Sequence, residues 1–369
     1  MKFKLTMAIL STLTFAIWSL PASAAAGAVY TLSNSNTGNA VLMFNRSVNG
    51  QLTSGGTFAT GDLGSGAGLA SQGALILDSS NRFLFAVNAG SNSVTVFAAT
   101  ANGLSLVGTT ASGGQNPISL TTFGNLLYVL NDGGAVGGRD TIAGFSVGPT
   151  GHLQEISHGI PLSAPSVGPA EVSFNPEGNL LIVSEKSTNK IDVFSLDNDG
   201  GVIGREVIAS EAQTPYGFAF GKRDELFVSD AFGGAQNAGA LSSYFVSRDG
   251  SLHTISSGTA DNQTAPCWVA LTNDGRFAYT TNTASGTVSG YSVGYAGQLQ
   301  LLNSNGITAD LGAGSAPIDL AVSNDSRFLY VLGPGTGVID GFGIALNGSL
   351  AQDNELQGLP ASTSGLAVR

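Results

Sequence analysis

One cadence returns along the chain: "NRFLFAVNAGSNSVTVF" (residues 81–97), "GRFAYTTNTASGTVSGY" (275–291) and "SRFLYVLGPGTGVIDGF" (326–342) align without a gap. A fixed internal period restricts the fold more than any other feature, because each repeat must bury its apolar face against a neighbour. The apolar anchor of one segment recurs at Tyr30, Phe85, Tyr128, Ile182, Phe227, Tyr279 and Tyr330, in steps of about fifty residues, a little longer than the WD40 spacing. A second count comes from turn pairs that each precede an aliphatic residue: Asn49-Gly50, Asn102-Gly103, Thr150-Gly151, Asp199-Gly200, Asp249-Gly250, Ala296-Gly297 and Asn347-Gly348. Most are the Asn-Gly or Asp-Gly pairs that tight hairpins favour. Both counts give seven units.

Each unit reads as four strands. In the sixth, "WVALTN", "RFAYTTN", "TVSGYSV" and "LQLLNS" are β-branched and aromatic runs separated by Asn, Asp and Gly turns. The chain ends in "STSGLAVR", which aligns with the innermost segments "APIDLAV" and "APCWVAL", whereas the first unit begins at its second strand, "AVYTLSN". Residues 365–369 therefore supply the missing inner strand of the first unit and close the ring. The expected fold is all-β, a seven-bladed β-propeller of four-stranded blades, with residues 25–369 as one domain.

Ahead of it, Lys2 and Lys4 precede an apolar run and the small residues Ala22-Ser23-Ala24. That pattern is a secretory signal over 1–24, cut after Ala24 or Ala26. The alternative, an uncleaved anchor, is disfavoured because the run falls short of the ~20 apolar residues a spanning helix needs. The expected product is soluble and secreted or periplasmic, with no membrane insertion after cleavage. A net charge of −11 argues against nucleic acid and anionic membranes as partners, since both need a basic footprint. Charged residues are 11% of the chain and glycines number 52, roughly double their usual share. The single cysteine, Cys267, excludes an intramolecular disulfide and reads as a buried small hydrophobe in "PCWVAL".

Residues that recur in the same slot of different blades, such as Arg82, Arg276 and Arg327 just after a turn, serve the blade. Function is sought where blades differ, around the mouth of the channel, where loops enter the first strand and leave the second. The aligned position early in the first strand carries Ala74, Ser119, Glu171, Gly217, Trp268, Asp319 and Gly365. Two carboxylates and an indole stand out. The loops after the second strand contribute Asn88, Asp132, Glu185 with Lys186, Asp230 and Asn282. Two of them, "NDGGAVGGRD" and "DAFGGAQNAG", are longer, and the first holds Arg139.

In blade four the hairpin turn near Glu177-Gly178 sets Glu171 opposite Ser184, with Glu185 one residue beyond. The two carboxylates are expected to lie close together, as catalytic acid and base or as oxygen ligands of a divalent cation such as calcium. The bland alternative is a pair of solvated rim charges. Arg139, Lys186, Trp268, Asp319, Asn88 and Tyr216 are the candidate ligand contacts. His152, His158 and His253 fall in or beside fourth strands and lack metal-ligand spacing.

"DGRFAY", "NDSRFLYV" and "GPAEVSFNPEGNLLIVSEKSTNKIDVFSL" resemble the seven-bladed lactonase family, which includes 6-phosphogluconolactonase-type enzymes and proteins described as 3-carboxymuconate cyclases. The resemblance spans nearly the whole chain after the leader. It implies a lactone or carbohydrate-derived small molecule as ligand. It also implies a blade-four segment of Gly-Pro-Arg-His, Phe-His-Pro and Asn-Glu. Gly168, Pro169, Phe174, Pro176 and Glu185 match, while Ala170, Glu171, Asn175 and Ser184 stand at the other positions. Asn282-Thr283 likewise replace an Asp-Arg pair. These departures remove the implied anion anchor and base, which argues against a phosphorylated substrate. Two readings follow: an exported lactone hydrolase with an altered site, using Glu171 or Glu185 as base, or a non-catalytic cell-envelope propeller that binds a polymer or protein.

Overall fold

The computed structural model describes residue 1, residues 26–100 and residues 103–369. The leader expected over 1–24 lies, apart from its first residue, outside them, as does Asn102 of the second turn pair. Among the described residues no helix is long and apolar enough to cross a membrane.

Seven antiparallel sheets form the blades. Blade four shows the plan from inside to outside: Pro169–Phe174, Leu180–Glu185, Lys190–Leu196 and Val202–Ala209. Its second strand is buried along its whole length, whereas its fourth is largely exposed. This contrast explains why the middle strands read as continuous apolar runs and the outer ones do not.

The repeated anchors are the joints between blades. All seven, from Tyr30 to Tyr330, are fully buried. Where the anchor is tyrosine in blades three, six and seven, its hydroxyl reaches the next blade's outer hairpin: Tyr128 Oη donates to Gly200 O, Tyr279 Oη to Gly348 O and Tyr330 Oη to Gly50 O, at 2.6, 2.9 and 2.7 Å. Gly50 has φ +82°, and a Cβ there would sit 2.5 Å from the Phe328 ring. The recurring Asn-Gly and Asp-Gly pairs are thus set by turn geometry and by the neighbouring blade together. Arg82 and Arg276, in their repeated slot, donate to Pro149 O and Leu346 O and lie over Phe83 and Phe277.

The ring closes as the termini indicate. Ser364–Val368 pairs antiparallel with Gly27–Leu32, setting Tyr30 opposite Ala367. The Arg369 backbone exchanges hydrogen bonds with Ala28, and Thr31 Oγ1 donates to Gly365 O at 2.6 Å.

Two details differ from the sequence pattern. The outer strand of blade six is broken: Leu299–Leu301 and Ala309–Asp310 both pair with Thr287–Val293, and the chain between them leaves the ladder. The two longer loops each coil into a short 3₁₀ turn, Gly133–Val136 and Phe232–Gly234.

Candidate functional site

An inner strand is a sheet edge, so alternate N–H groups along it have no partner in their own blade. The variable ring position supplies acceptors to them. Ser119 Oγ accepts from Val172 N at 3.2 Å, Glu171 Oε2 from Phe218 N at 2.6 Å and Asp319 Oδ2 from Leu366 N at 3.1 Å, each in the following blade. The two carboxylates that stand out in the sequence therefore join blades. Burial pushes the Glu171 carboxyl well above the usual range, with Asp319 adding to the rise and the Phe218 N–H opposing it. Burial likewise raises Asp319 to about 7, against the N–H groups of Leu320, Leu366 and Gly73.

Where the ring residue is Ala74 or Gly217, the chain between blades one and two supplies the acceptor. Gly73 O accepts from Leu120 N at 2.9 Å. Gln72 replaces the absent side chain of Gly217: its Oε1 accepts from Val269 N at 3.0 Å and its Nε2 donates to Val269 O at 2.8 Å, as a strand would. A Cβ at position 217 would lie 2.3 Å from that oxygen. Gln72 N also donates to Ala170 O, Ser71 Oγ donates to Ile118 O, and Trp268 Nε1 donates to Ser71 O. Residues 69–73 thus touch blades three, four and six and plug the channel at its loop end. Gln72→Ala is expected to lower stability by about 1–3 kcal/mol through the unpaired Val269 groups, read as a fall in the urea midpoint at constant slope.

Above the plug lies a partly exposed polar cluster. Lys186 Nζ donates to Ala70 O at 2.8 Å and Pro169 O at 2.9 Å and sits 4.6 Å from the centre of the Tyr216 ring. Tyr216 packs against Trp268 with ring centres 5.1 Å apart. Asp132, at the end of Leu126–Asp132, is paired across the ladder with Asp140. Burial and the Asp140 charge raise its carboxyl to about 6, against the pull of Lys186. Burial lowers Lys186 to about 8, with Asp132, Cys267 and Asp140 opposing the fall. Asp140 itself accepts from Gly134 N and Val167 N and so fixes the long loop. Cys267 is buried, and burial pushes its thiol up to about 11.

The expected Glu171–Glu185 pair does not form. Glu171 does lie opposite Ser184, but successive residues of a strand face opposite sides. Ser184 Oγ and Glu171 turn together toward blade five, bonding Tyr216 O and Phe218 N. Glu185 therefore faces blade three. Its carboxylate accepts from Ser163 N, Ser163 Oγ and Thr188 Oγ1 at 3.1, 2.7 and 2.5 Å. Beside it Asp192, fully buried, is pushed up to about 7 by burial and by the Glu185 charge. A cation bridging Glu171 and Glu185 thus loses its geometric basis, and among the described residues no three carboxylate, imidazole or thiol groups converge as a metal site.

Of the remaining candidates, Asn88 is fully buried, with Nδ2 donating to Ser93 Oγ and Thr95 Oγ1 and Oδ1 accepting from Asn39. Arg139 is exposed on the long loop. The structure thus brings Lys186, Tyr216 and Trp268 together, adds Asp132, and separates Glu171, Glu185, Asn88 and Asp319 from them as blade-joining groups.

The model of the seven-bladed β-propeller lactonases matches the chain in overlapping segments, 28–166, 118–220, 139–257 and 229–365. The chain belongs to the seven-bladed β-propeller lactonase family. No curated protein sequence matches it. Among solved structures, this lactonase-family propeller is similar to the periplasmic gluconolactonase of Pseudomonas aeruginosa, with 18% identity, TM-score 0.69 and coverage of 92% of this chain and 99% of that one. A Bacteroides fragilis protein described as a candidate 6-phosphogluconolactonase shares 19% identity at TM-score 0.68, over 95% and 99% of the two chains. A Lactobacillus plantarum protein superposes at TM-score 0.75 with 15% identity, over 93% and 99%. At these identities the likenesses speak to the fold alone.

Proposed function

We propose that this propeller is an exported lactone hydrolase whose reaction takes place at the loop-end mouth, between Asp132 and Lys186. The observation that carries the reading is the placement of Lys186 over the plugged channel, held on two carbonyls and the Tyr216 ring within the field of Asp132. Asp132, ionised at neutral pH, takes a proton from water as that water attacks the lactone carbonyl. The Lys186 ammonium steadies the oxyanion, and the ring C–O bond then breaks as its oxygen takes up the proton held by Asp132, which returns to the carboxylate. Glu171 and Glu185, the base candidates of the sequence, hold blades together in this reading. Family membership and the fold shared with a gluconolactonase described as periplasmic support the substrate class and the export.

A sugar-lactone panel assayed by pH-stat tests it. Hydrolysis is expected to rise with pH through about 6, as Asp132 loses its proton, and to fall above about 8, as Lys186 loses its charge. Asp132→Asn should reduce kcat/KM by ~10² or more, the usual contribution of a positioned base. Glu171→Gln and Glu185→Gln, checked for folding by circular dichroism, should retain activity; a larger loss at Glu185 than at Asp132 would return the base to Glu185.

The second reading, a non-catalytic envelope propeller, is favoured by one observation: the polar ring is engaged between blades and the channel is closed by its own chain. Wild-type protein that turns over no lactone, yet changes Trp268 fluorescence on adding an envelope polysaccharide, would decide for it.

A further inference from the structure

Lys186 also has a chemistry that hydrolysis does not use. Its Nζ donates to two backbone carbonyls, Ala70 O and Pro169 O. A neutral amine has two N–H bonds, so losing the third proton breaks neither contact. Among the described residues no carboxylate forms an ion pair with it. The groups that face it are Asp132 and Asp140 from blade three, the Tyr216 ring from blade five and Cys267 from blade six. The side chain is only partly buried. Of the other described lysines, Lys190 opens Lys190–Leu196 opposite Glu185 in the ladder, and Lys222 lies on an exposed turn.

We infer that Lys186 is a site of covalent acylation, at which the free amine opens a lactone and keeps it as an amide. The Nζ lone pair attacks the lactone carbonyl carbon and forms the N–C bond. The ring C–O bond breaks, and its oxygen leaves as an alkoxide that takes up the proton shed by Nζ through water. The product is a hydroxyacyl amide carrying the whole mass of the lactone, with no oxidant and no leaving group lost. The inference rests on the proposed function only for the class of electrophile. The lowering of Lys186 to about 8 agrees with it, because much of the amine is then free base at mildly alkaline pH.

Glucono-δ-lactone, incubated with the full chain at pH 7.5 and followed by peptide mass spectrometry, tests it. Acylation at Lys186 is expected at least ~10-fold faster than at Lys190 or Lys222, and peptide mapping separates it from acylation of the α-amino group. Asp132→Asn removes a charge that holds the proton on Lys186, so labelling should accelerate in that variant while hydrolysis falls. If that variant does not fold, the pH profile of wild-type labelling replaces it: a midpoint near 8 supports the inference, and one near 10 overturns it. Equal rates at the three lysines, or an unlabelled Lys186, also overturn it. Labelling without hydrolysis removes the proposed function and leaves this inference standing; hydrolysis without labelling does the reverse.

Discussion

Removal of residues 364–369 is expected to abolish the folded protein. The deletion strips the inner strand from blade one, exposing the edge of Gly27–Leu32 with its unpaired N–H and C=O groups. It also removes Leu366 and Ala367 from the core, the Gly365 carbonyl that accepts from Thr31, and the Leu366 N–H that caps Asp319. Asp319 would then keep a buried carboxyl with one partner fewer. Losing the buried Leu366 and Ala367 side chains alone costs about 2–4 kcal/mol on the usual transfer scale, before the lost ladder bonds are counted. That is a large share of the ~5–15 kcal/mol by which domains are stable. Size-exclusion chromatography should show aggregate, and thermal unfolding should lose its cooperative step. A truncated chain that remains monomeric with an unchanged melting temperature would show that the ring does not depend on this closure.

The same strand shows what a sequence can reveal. Ring closure was legible because "SGLAV" repeats the pattern of "APCWVAL", and a chain that starts at its second strand must obtain a first one elsewhere. The turn pairs and anchors were legible for a similar reason: each is fixed by contacts within one blade or between adjacent blades, so the constraint recurs at every period. The blade-four register was legible too, down to Glu171 opposite Ser184.

The site was harder to read. Strand parity alone separates Glu185 from Glu171, since a residue next to Glu171's partner must face away. Proximity at the end of a hairpin therefore did not amount to proximity of carboxylates. The plug left no periodic trace: Gln72 meets Val269 from 197 positions away, in a linker rich in glycine. Its one signal was Gly217, a ring position empty of side chain that another group had to fill. Asp132 had a signal as well, since the long glycine loop begins and ends on acids that the ladder sets face to face. Such a pair raises one carboxyl toward neutrality.

Mildly acidic solution is expected to be where the protein is most stable, with a substantial loss between pH 5.5 and pH 8.5. Three fully or nearly fully buried aspartates contribute, and Glu171, pushed well above the usual range by burial, acts in the same direction. Asp192 is raised to about 7 by burial and the Glu185 charge, Asp230 to about 8 by burial against the Ser242 hydroxyl, and Asp319 to about 7 by burial. In the unfolded chain an Asp releases its proton near ~3.9. Between about 4 and 7–8 the folded protein thus binds protons that the unfolded one does not. Stability then falls as pH rises, the reverse of a salt-bridged aspartate. The contribution is complete below about 4 and lost as pH passes the folded values. A decrease of roughly 10 °C or more in melting temperature is expected, since each kcal/mol shifts a chain of this size by ~2–4 °C or less and several kcal/mol are involved. General repulsion from the net charge of −11 acts in the same direction. Scans at 0.5 M salt remove most of it, because the screening length is then only a few ångströms. Asp192→Asn isolates the buried part: an amide cannot ionise beside Glu185, so the variant should lose less stability than wild type on going to pH 8.5. A melting temperature that rises over this range in high salt would mean that these carboxyls are ionised in the folded protein.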